Sequence, residues 1–140
     1  MEIKPKVGIG CINFGMHPNQ IIEIMNEDVC YEPWMGGNLN DSIYYKGLIF
    51  GFNECNGPAP SSNAEFRELR IMYRQDLTLF GEPLNSWTRS KISSKLSQIG
   101  VNHMSAVSGD ISCDELSCVF SFDDLGQLNY IEMWRSNTCI

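Results

Sequence analysis

Two stretches of the chain, Leu48-Ile49-Phe50-Gly51-Phe52-Asn53 and Cys118-Val119-Phe120-Ser121-Phe122-Asp123, put apolar side chains at every second position and lie 70 residues apart. Successive side chains of a strand point to opposite faces, so this alternation commits each stretch to a sheet buried on one side. A second echo sets Cys11-Ile12-Asn13-Phe14-Gly15 against Leu77-Thr78-Leu79-Phe80-Gly81 at an offset of 66. Pro18 and Pro83 follow the two Phe-Gly pairs, and a helical pattern follows each proline. The drift from 66 to 70 is what one loop insertion would produce. Self-similarity of this length points to a doubled supersecondary unit. The expected fold is therefore α+β, an antiparallel sheet with two helices packed on one face. It admits a tandem repeat of a helix-plus-sheet unit, residues 1–75 and 76–140, inside a single domain spanning 1–140.

Each half reads as strand, short helix, then antiparallel strands. Residues 7–14 form a short apolar run that breaks at Gly15. Pro18 suits a first helical turn, where its missing N–H costs nothing, and Gln20, three residues after His17, makes a variant capping box. Ile21, Ile22 and Met25 share one face at helical spacing and are expected to pack inward. In the second half, Asn85 or Ser86 is expected to cap a helix carrying Ile92, Leu96 and Ile99, with Gly100 ending it in the left-handed conformation. Leu69, Ile71 and Tyr73 alternate with Arg70, Met72 and Arg74, the pattern of a strand wet on one side. Asp123-Asp124-Leu125-Gly126 has turn chemistry, and 128–134 is expected to return as the partner strand. Residues 53–64, with Gly57, Pro58 and Pro60, make the clearest loop, and 34–40, with Gly36-Gly37, a second.

Charge narrows the partners. The 140 residues carry 17 acids against 10 Lys+Arg, a formal net charge of -7. Nucleic-acid binders neutralise phosphates with Lys and Arg, so no direct nucleic-acid partner is expected. An acidic chain is also repelled by anionic membrane surfaces, and no apolar run approaches the roughly 18 residues of a membrane span. The opening Met1-Glu2-Ile3-Lys4-Pro5-Lys6 has no signal-peptide pattern, so a cytoplasmic protein is expected. The acids are unevenly placed. Residues 7–45 hold Glu23, Glu27, Asp28, Glu32 and Asp41 without a Lys or Arg, and 96–134 hold Asp110, Asp114, Glu115, Asp123, Asp124 and Glu132, again without one. Such segregation favours a basic protein as partner. Trp34, in a Gly-rich loop, is either a plug or an interface anchor, since Trp buries much area with few rotors. Trp87 and Trp134 are expected to pack in the core. The candidate partner-binding residues are Glu27, Asp28, Glu32, Trp34, Asp110, Asp114 and Glu115.

No catalytic constellation emerges. The six cysteines (Cys11, Cys30, Cys55, Cys113, Cys118, Cys139) contain no C-x-x-C pair, and His17 and His103 lie outside any metal-ligand spacing. Cys11 and Cys118, both inside apolar runs, read as small buried hydrophobes. Gly8-Ile9-Gly10 begins a G-x-G but finds no third glycine. Asp114-Glu115 and Asp123-Asp124 are adjacent pairs, which on a strand would point to opposite faces and could not work as one acid/base couple. No catalytic residue, metal or cofactor is expected, and the chain is expected not to be an enzyme.

The segment Phe14-Gly15-Met16-His17-Pro18-Asn19-Gln20-Ile21-Ile22 resembles the "F-G-M-S-x-x-E-V" opening of small bacterial proteins. Phe120-Ser121-Phe122-Asp123-Asp124-Leu125-Gly126-Gln127-Leu128 is similar to their "F-D-x-x-G-x-L" close. That helix-plus-sheet unit is shared by the outer-membrane assembly lipoproteins, by the tandem-repeat β-lactamase inhibitory protein, and by immunity proteins that neutralise toxins of contact-dependent growth inhibition and other polymorphic systems. Here His17 stands in place of the usual serine cap and Ile21 in place of the acidic position. The resemblance implies a toxin-neutralising protein of the immunity branch, with no catalytic residues and no partner surface that carries over by position. The alternative expectation is a small-molecule-binding protein or enzyme with a pocket between two sheets.

Overall fold

The computed structural model describes residues 1–136 of the chain, so Cys139 lies outside the described residues. Its backbone begins with short strands β1 (Glu2–Lys4), β2 (Gly8–Ile9) and β3 (Ile12–Asn13), then helix α1 (Pro18–Met25). Strands β4 (Cys30–Glu32), β5 (Ser42–Tyr45), β6 (Leu48–Phe52) and β7 (Phe66–Ile71) follow. The second half runs through β8 (Thr78–Leu79), β9 (Glu82–Pro83), α2 (Arg89–Gln98), β10 (Met104–Ser105), β11 (Ile111–Cys113), β12 (Cys118–Phe122) and β13 (Leu128–Trp134). Both halves run from short strands through a helix to a four-stranded meander, the first opening on three short strands and the second on two.

Two sheets result. The larger has eight strands in the order β10-β11-β12-β13-β7-β6-β5-β4, every neighbour antiparallel. Its centre is the pairing of β7 with β13, the last strand of each half, through Leu69–Met133, Arg70–Glu132 and Ile71–Ile131. The smaller, in the order β3-β2-β1-β8-β9, joins the two N-terminal hairpins through one parallel pair, β1 with β8. The fold is thus α+β with mostly antiparallel sheets.

Alternation sorts the large sheet into two faces. Inward go Tyr45, Leu48, Ile71, Ile131, Phe120 and Ile111 in one row, with Ile43, Phe50, Leu69, Met133, Cys118 and Cys113 in the next. Ile21 and Met25 of α1, Ile92 and Leu96 of α2, and Ile3, Ile9, Ile12 and Leu79 of the small sheet join them in one continuous core. Both helices therefore cover the same face. Burial of this many Ile, Leu and Phe side chains, each worth about 1.5–3 kcal/mol relative to exposure, drives the assembly.

Local signals explain the helix ends. His17 is the N-cap of α1, and its N–H donates to Gln20 Oε1 at 2.9 Å. The His17 ring turns away to the 53–65 loop, its Nδ1 2.9 Å from Ala64 O; a carbonyl only accepts, so Nδ1 carries the proton. Thr88, rather than Asn85 or Ser86, caps α2, its Oγ1 accepting from Lys91 N at 3.3 Å. Asn85 and Ser86 are spent in the 3-10 turn Leu84–Ser86, which delivers Trp87 into the core with its Nε1–H on Leu79 O. Gly100 follows α2 at φ +79, as its lack of a Cβ allows.

Several expectations change. The run 7–14 is not one strand but the tight hairpin β2–β3, which leaves Cys11 exposed at its turn. The echo at 66 does not join equivalent positions: Phe80-Gly81 forms the β8–β9 turn, whereas Phe14-Gly15 follows β3. The corresponding hairpin residues are Ile9 and Leu79, which restores the offset of 70 seen for Phe50 and Phe120. Trp134 lies half-buried on the face away from the core, opposite Glu68. Asp114 and Glu115 form a 3-10 turn, not part of a strand.

Tyr45 reaches the core with its hydroxyl buried and without a hydrogen-bond partner among the described residues. Burial, with the charges of Tyr31 and Glu27 adding, pushes its pKa up to about 12. An unpartnered buried hydroxyl costs about 1–3 kcal/mol, so Tyr45→Phe is expected to raise stability in urea denaturation at pH 7 by about 1 kcal/mol. Because the folded phenol resists ionising while the unfolded one does not, stability falls as pH rises from 10 towards 12. The advantage of Tyr45→Phe should widen across that window; a constant or shrinking difference would contradict the assignment.

Candidate functional site

Among the described residues, no helix or strand covers the face of the large sheet turned away from the helices. One row of directly opposed residues crosses all eight strands on it: Met104, Ser112, Val119, Glu132, Arg70, Ile49, Tyr44 and Cys30. At strand spacings of about 4.8 Å that row is roughly 34 Å wide. Trp134, Glu68, Gly51, Ser42 and Glu32 form a parallel row towards one end of the strands, and Tyr130 and Ser121 pair towards the other.

Arg70 holds the middle. Its Nη1 donates to Glu132 Oε1 at 3.1 Å and lies 3.3 Å from Met35 Sδ, while its guanidinium carbon stands 3.7 Å from the Tyr130 ring centroid. The arginine is therefore fixed by three neighbours and is a structural cation more than a free one.

The 33–41 loop folds back over the first half of this face. The Trp34 ring lies against Gly51, where an added Cβ would come within 2.9 Å of its Cε3. The loop is pinned by Trp34 N–H on Asp41 Oδ1 (2.8 Å), by Tyr44 Oη donating to Pro33 O (2.8 Å), and by Met35 N–H on the same Tyr44 Oη (3.2 Å). Met35 accepts φ +50 to make this turn, and Ile49 and Ser42 are buried beneath. Trp34 is thus a plug on the sheet whose ring stays half-exposed.

The candidate residues do not converge on one patch; they mark the corners of the sheet. Glu27 and Asp28 sit before β4 at one end, with Asp110 at the same end of the opposite edge, before β11. Glu32 and Trp34 lie at the other end of the first edge, and Asp114 and Glu115 at the other end of the second. Glu27 is engaged: both its oxygens bind the Arg74 guanidinium, which also bonds Asp76 Oδ1 and Lys46 O. The Glu27 and Asp76 bonds outweigh burial and hold Arg74 charged well beyond its ordinary range. Burial opposes the Asp76 charge, but the Arg74 bond overcomes it and keeps that carboxyl below the usual range. Glu115 accepts from Asn102 N–H at 3.3 Å. Sequence reasoning missed Arg70, Tyr44, Tyr130 and Glu132, although the alternation of Arg70 with Leu69 and Ile71 already placed it on the wet face.

Two other groupings carry reactive side chains. Ser93 Oγ lies 3.1 Å from His103 Nε2 in a groove of about 530 Å³ between α2, β10–β11 and the 123–127 turn. Cys113 and Cys118 face each other across β11–β12, both free and buried. Burial raises both thiol pKa values, which keeps them protonated and inert. Among the described residues no cluster of three or more His, Cys, Asp or Glu could hold a metal ion, and no helix is long and apolar enough to cross a membrane.

These features define an α+β protein whose eight-stranded sheet packs a helical layer on one side and, among the described residues, carries the 33–41 loop over part of the other. Compared with family models, with curated proteins and with solved structures, the chain finds no match.

Trp34 and Gly51 give a direct test of the strap. Gly51→Ala must push the ring off the sheet, so Trp34 emission, read against a Trp34→Phe control, is expected to shift red and become more open to acrylamide. Stability should fall by about 1 kcal/mol. Unchanged emission would mean that the loop does not rest on the sheet in solution.

Proposed function

We propose that this chain is an immunity protein, a cytoplasmic bacterial protein that binds one cognate toxin domain and neutralises it by covering a working surface. The partner is a basic protein, and a nuclease is the class best matched by carboxylates standing in for phosphates. The observation that supports this reading most is the open face. It is about 34 Å wide by strand spacing, carries Trp34, Met35, Tyr44, Tyr130 and Trp134, and is bordered by acids at all four corners. Aromatic and Met side chains within a polar rim are the composition of a protein-binding surface. The resemblance of the Phe14–Ile22 and Phe120–Leu128 segments to immunity proteins points the same way, as does the net charge of -7.

The test is capture with the tagged chain from its source cell, followed by growth protection. A toxin domain encoded beside this gene is expected in the eluate. Because steering by exposed charge is screened within about 8 Å at physiological salt, association should slow sharply as salt rises. Charge reversal by Asp114→Lys with Glu115→Lys is expected to slow association by about fivefold or more in stopped-flow measurements. Full protection with an unaltered association rate would remove the acidic corners from the mechanism.

Ser93 and His103 supply the one observation for an enzyme. His103 Nδ1 is 3.4 Å from Val101 O, so it carries the proton and leaves Nε2 to accept from the Ser93 hydroxyl, the polarity of a nucleophile and its base. The groove lies against α2 and not between the sheets. On the immunity reading this pair only ties α2 to the segment before β10, and a fluorophosphonate probe should label the chain no more than its Ser93→Ala variant. Labelling specific to Ser93 would favour the hydrolase.

A further inference from the structure

Of the chain's asparagines, only Asn56 is followed by glycine. The backbone nitrogen of a residue can attack the carboxamide of an asparagine before it, and a Cβ on the attacking residue obstructs that approach. Glycine has none, and its backbone reaches conformations closed to other residues. In a folded chain the attack also needs a free carboxamide, a free N–H on the next residue, and open space around both.

The tip of the 53–64 loop meets all of these conditions. Asn56, Gly57 and Pro58 are exposed. Neither the Asn56 carboxamide nor the Gly57 N–H makes a hydrogen bond among the described residues. Gly57 adopts φ +75, and beyond its chain neighbours no atom lies within 4 Å of the place a Cβ would take. The tip is narrow, with Asn56 N–H donating to Ala59 O at 2.8 Å and Cys55 paired with Pro60 across it. One tie leads away from it: Asn40 Nδ2 donates to Pro58 O at 3.3 Å and so joins the tip to the 33–41 loop.

Neighbouring asparagines each fail a condition. The N–H that follows Asn40 belongs to Asp41 and donates to Leu39 O at 2.8 Å. The one that follows Asn63 belongs to Ala64 and donates to Ser61 O at 2.9 Å. Asn53 has its Oδ1 engaged by Glu65 N–H at 2.9 Å.

We propose that Asn56–Gly57 is a site of spontaneous modification, where the asparagine passes through a cyclic imide to a mixture of isoaspartate and aspartate. The Gly57 nitrogen gives its proton to solvent and bonds to Asn56 Cγ. The bond from Cγ to the side-chain nitrogen breaks, and that nitrogen leaves as ammonia. Water then opens the imide. Opening at Cγ yields aspartate, whereas opening at the Asn56 backbone carbonyl leaves the main chain running through Cγ as isoaspartate. Water enters, ammonia leaves, and no electrons change hands. Either product adds a carboxylate two residues from Glu54. Isoaspartate also lengthens the main chain by one carbon in a tip fixed on both sides, and the Asn40 bond to Pro58 O is the tie that yields. The chemistry needs no partner and is independent of what the open face binds.

The test is incubation of the whole isotope-labelled chain at neutral pH and physiological temperature. Peptide mass mapping, methylation by an isoaspartate-specific methyltransferase and amide spectra are read over days. Asn56 is expected to lose its carboxamide signals as methyl-accepting isoaspartate appears at that position, with the Asn40 side-chain amide shifting in step. Gly57→Ala should slow the change about tenfold, and Asn56→Gln should leave position 56 unconverted over the same time. If Gly57→Ala disturbs the tip, Asn56→Gln decides. Conversion at Asn63 or Asn85 as fast as at Asn56, aspartate formed without isoaspartate, or methyl acceptance undiminished in Asn56→Gln would overturn the proposal.

Discussion

Pairing of β7 with β13 is the constraint on which everything else rests. Each half brings only four strands, and the inward side chains of either meander would be shielded by a single short helix. Joining the last strands through Leu69–Met133 and Ile71–Ile131 puts both sets of inward residues under both helices. The same seam places Arg70 against Glu132 on the far side, so the centre of the open face is closed by an ion pair and a stacked ring. With one partner only half-exposed and the other mostly buried, this pair owes its value to fixed geometry more than to raw attraction.

The two faces obey different rules. On the inner face nearly every position is Ile, Leu, Phe, Met or Cys, and substitution there creates cavities. On the outer face the chain spends large side chains on a surface that, among the described residues, the 33–41 loop crosses on its first half. That loop accepts a left-handed Met35 and is tied down by Tyr44 and Asp41, which shows how the sheet can be dressed by a segment that belongs to no regular element. Glu132 and Glu68 lie on the outer face itself, whereas the candidate acids stand at its corners, where water keeps desolvation cost small.

Much of this was readable from residue order. Period-two alternation located β6, β7 and β12, and the turn chemistry of 123–126 placed β13 after it. Pro18 and Gly100 marked helix boundaries, because each rests on a backbone property of the residue itself. What escaped needed pairing information. Asn85, Ser86 and Thr88 are all chemically fit caps, and only the turn that buries Trp87 selects Thr88. Cys11 sits in an apolar run, yet a two-residue hairpin leaves it outside. Trp134 ends an apolar strand, but its parity with Glu132 sends it to the open face. The seven candidate residues were chosen by charge and loop position along the chain. Register across eight strands then spread them to four corners, a relation no single segment contains.

The seam has a consequence for how the molecule comes to exist. A ribosome delivers β7 about sixty residues before the strand that pairs with it. During that interval the first meander presents Leu69 and Ile71 beside a row of unpaired amides and carbonyls, the kind of border along which nascent chains stick to one another. Two such half-made copies could satisfy each other edge to edge by the very symmetry that the finished chain satisfies within itself. Synthesis of the second half is, in that sense, also the chain's protection against its own first half.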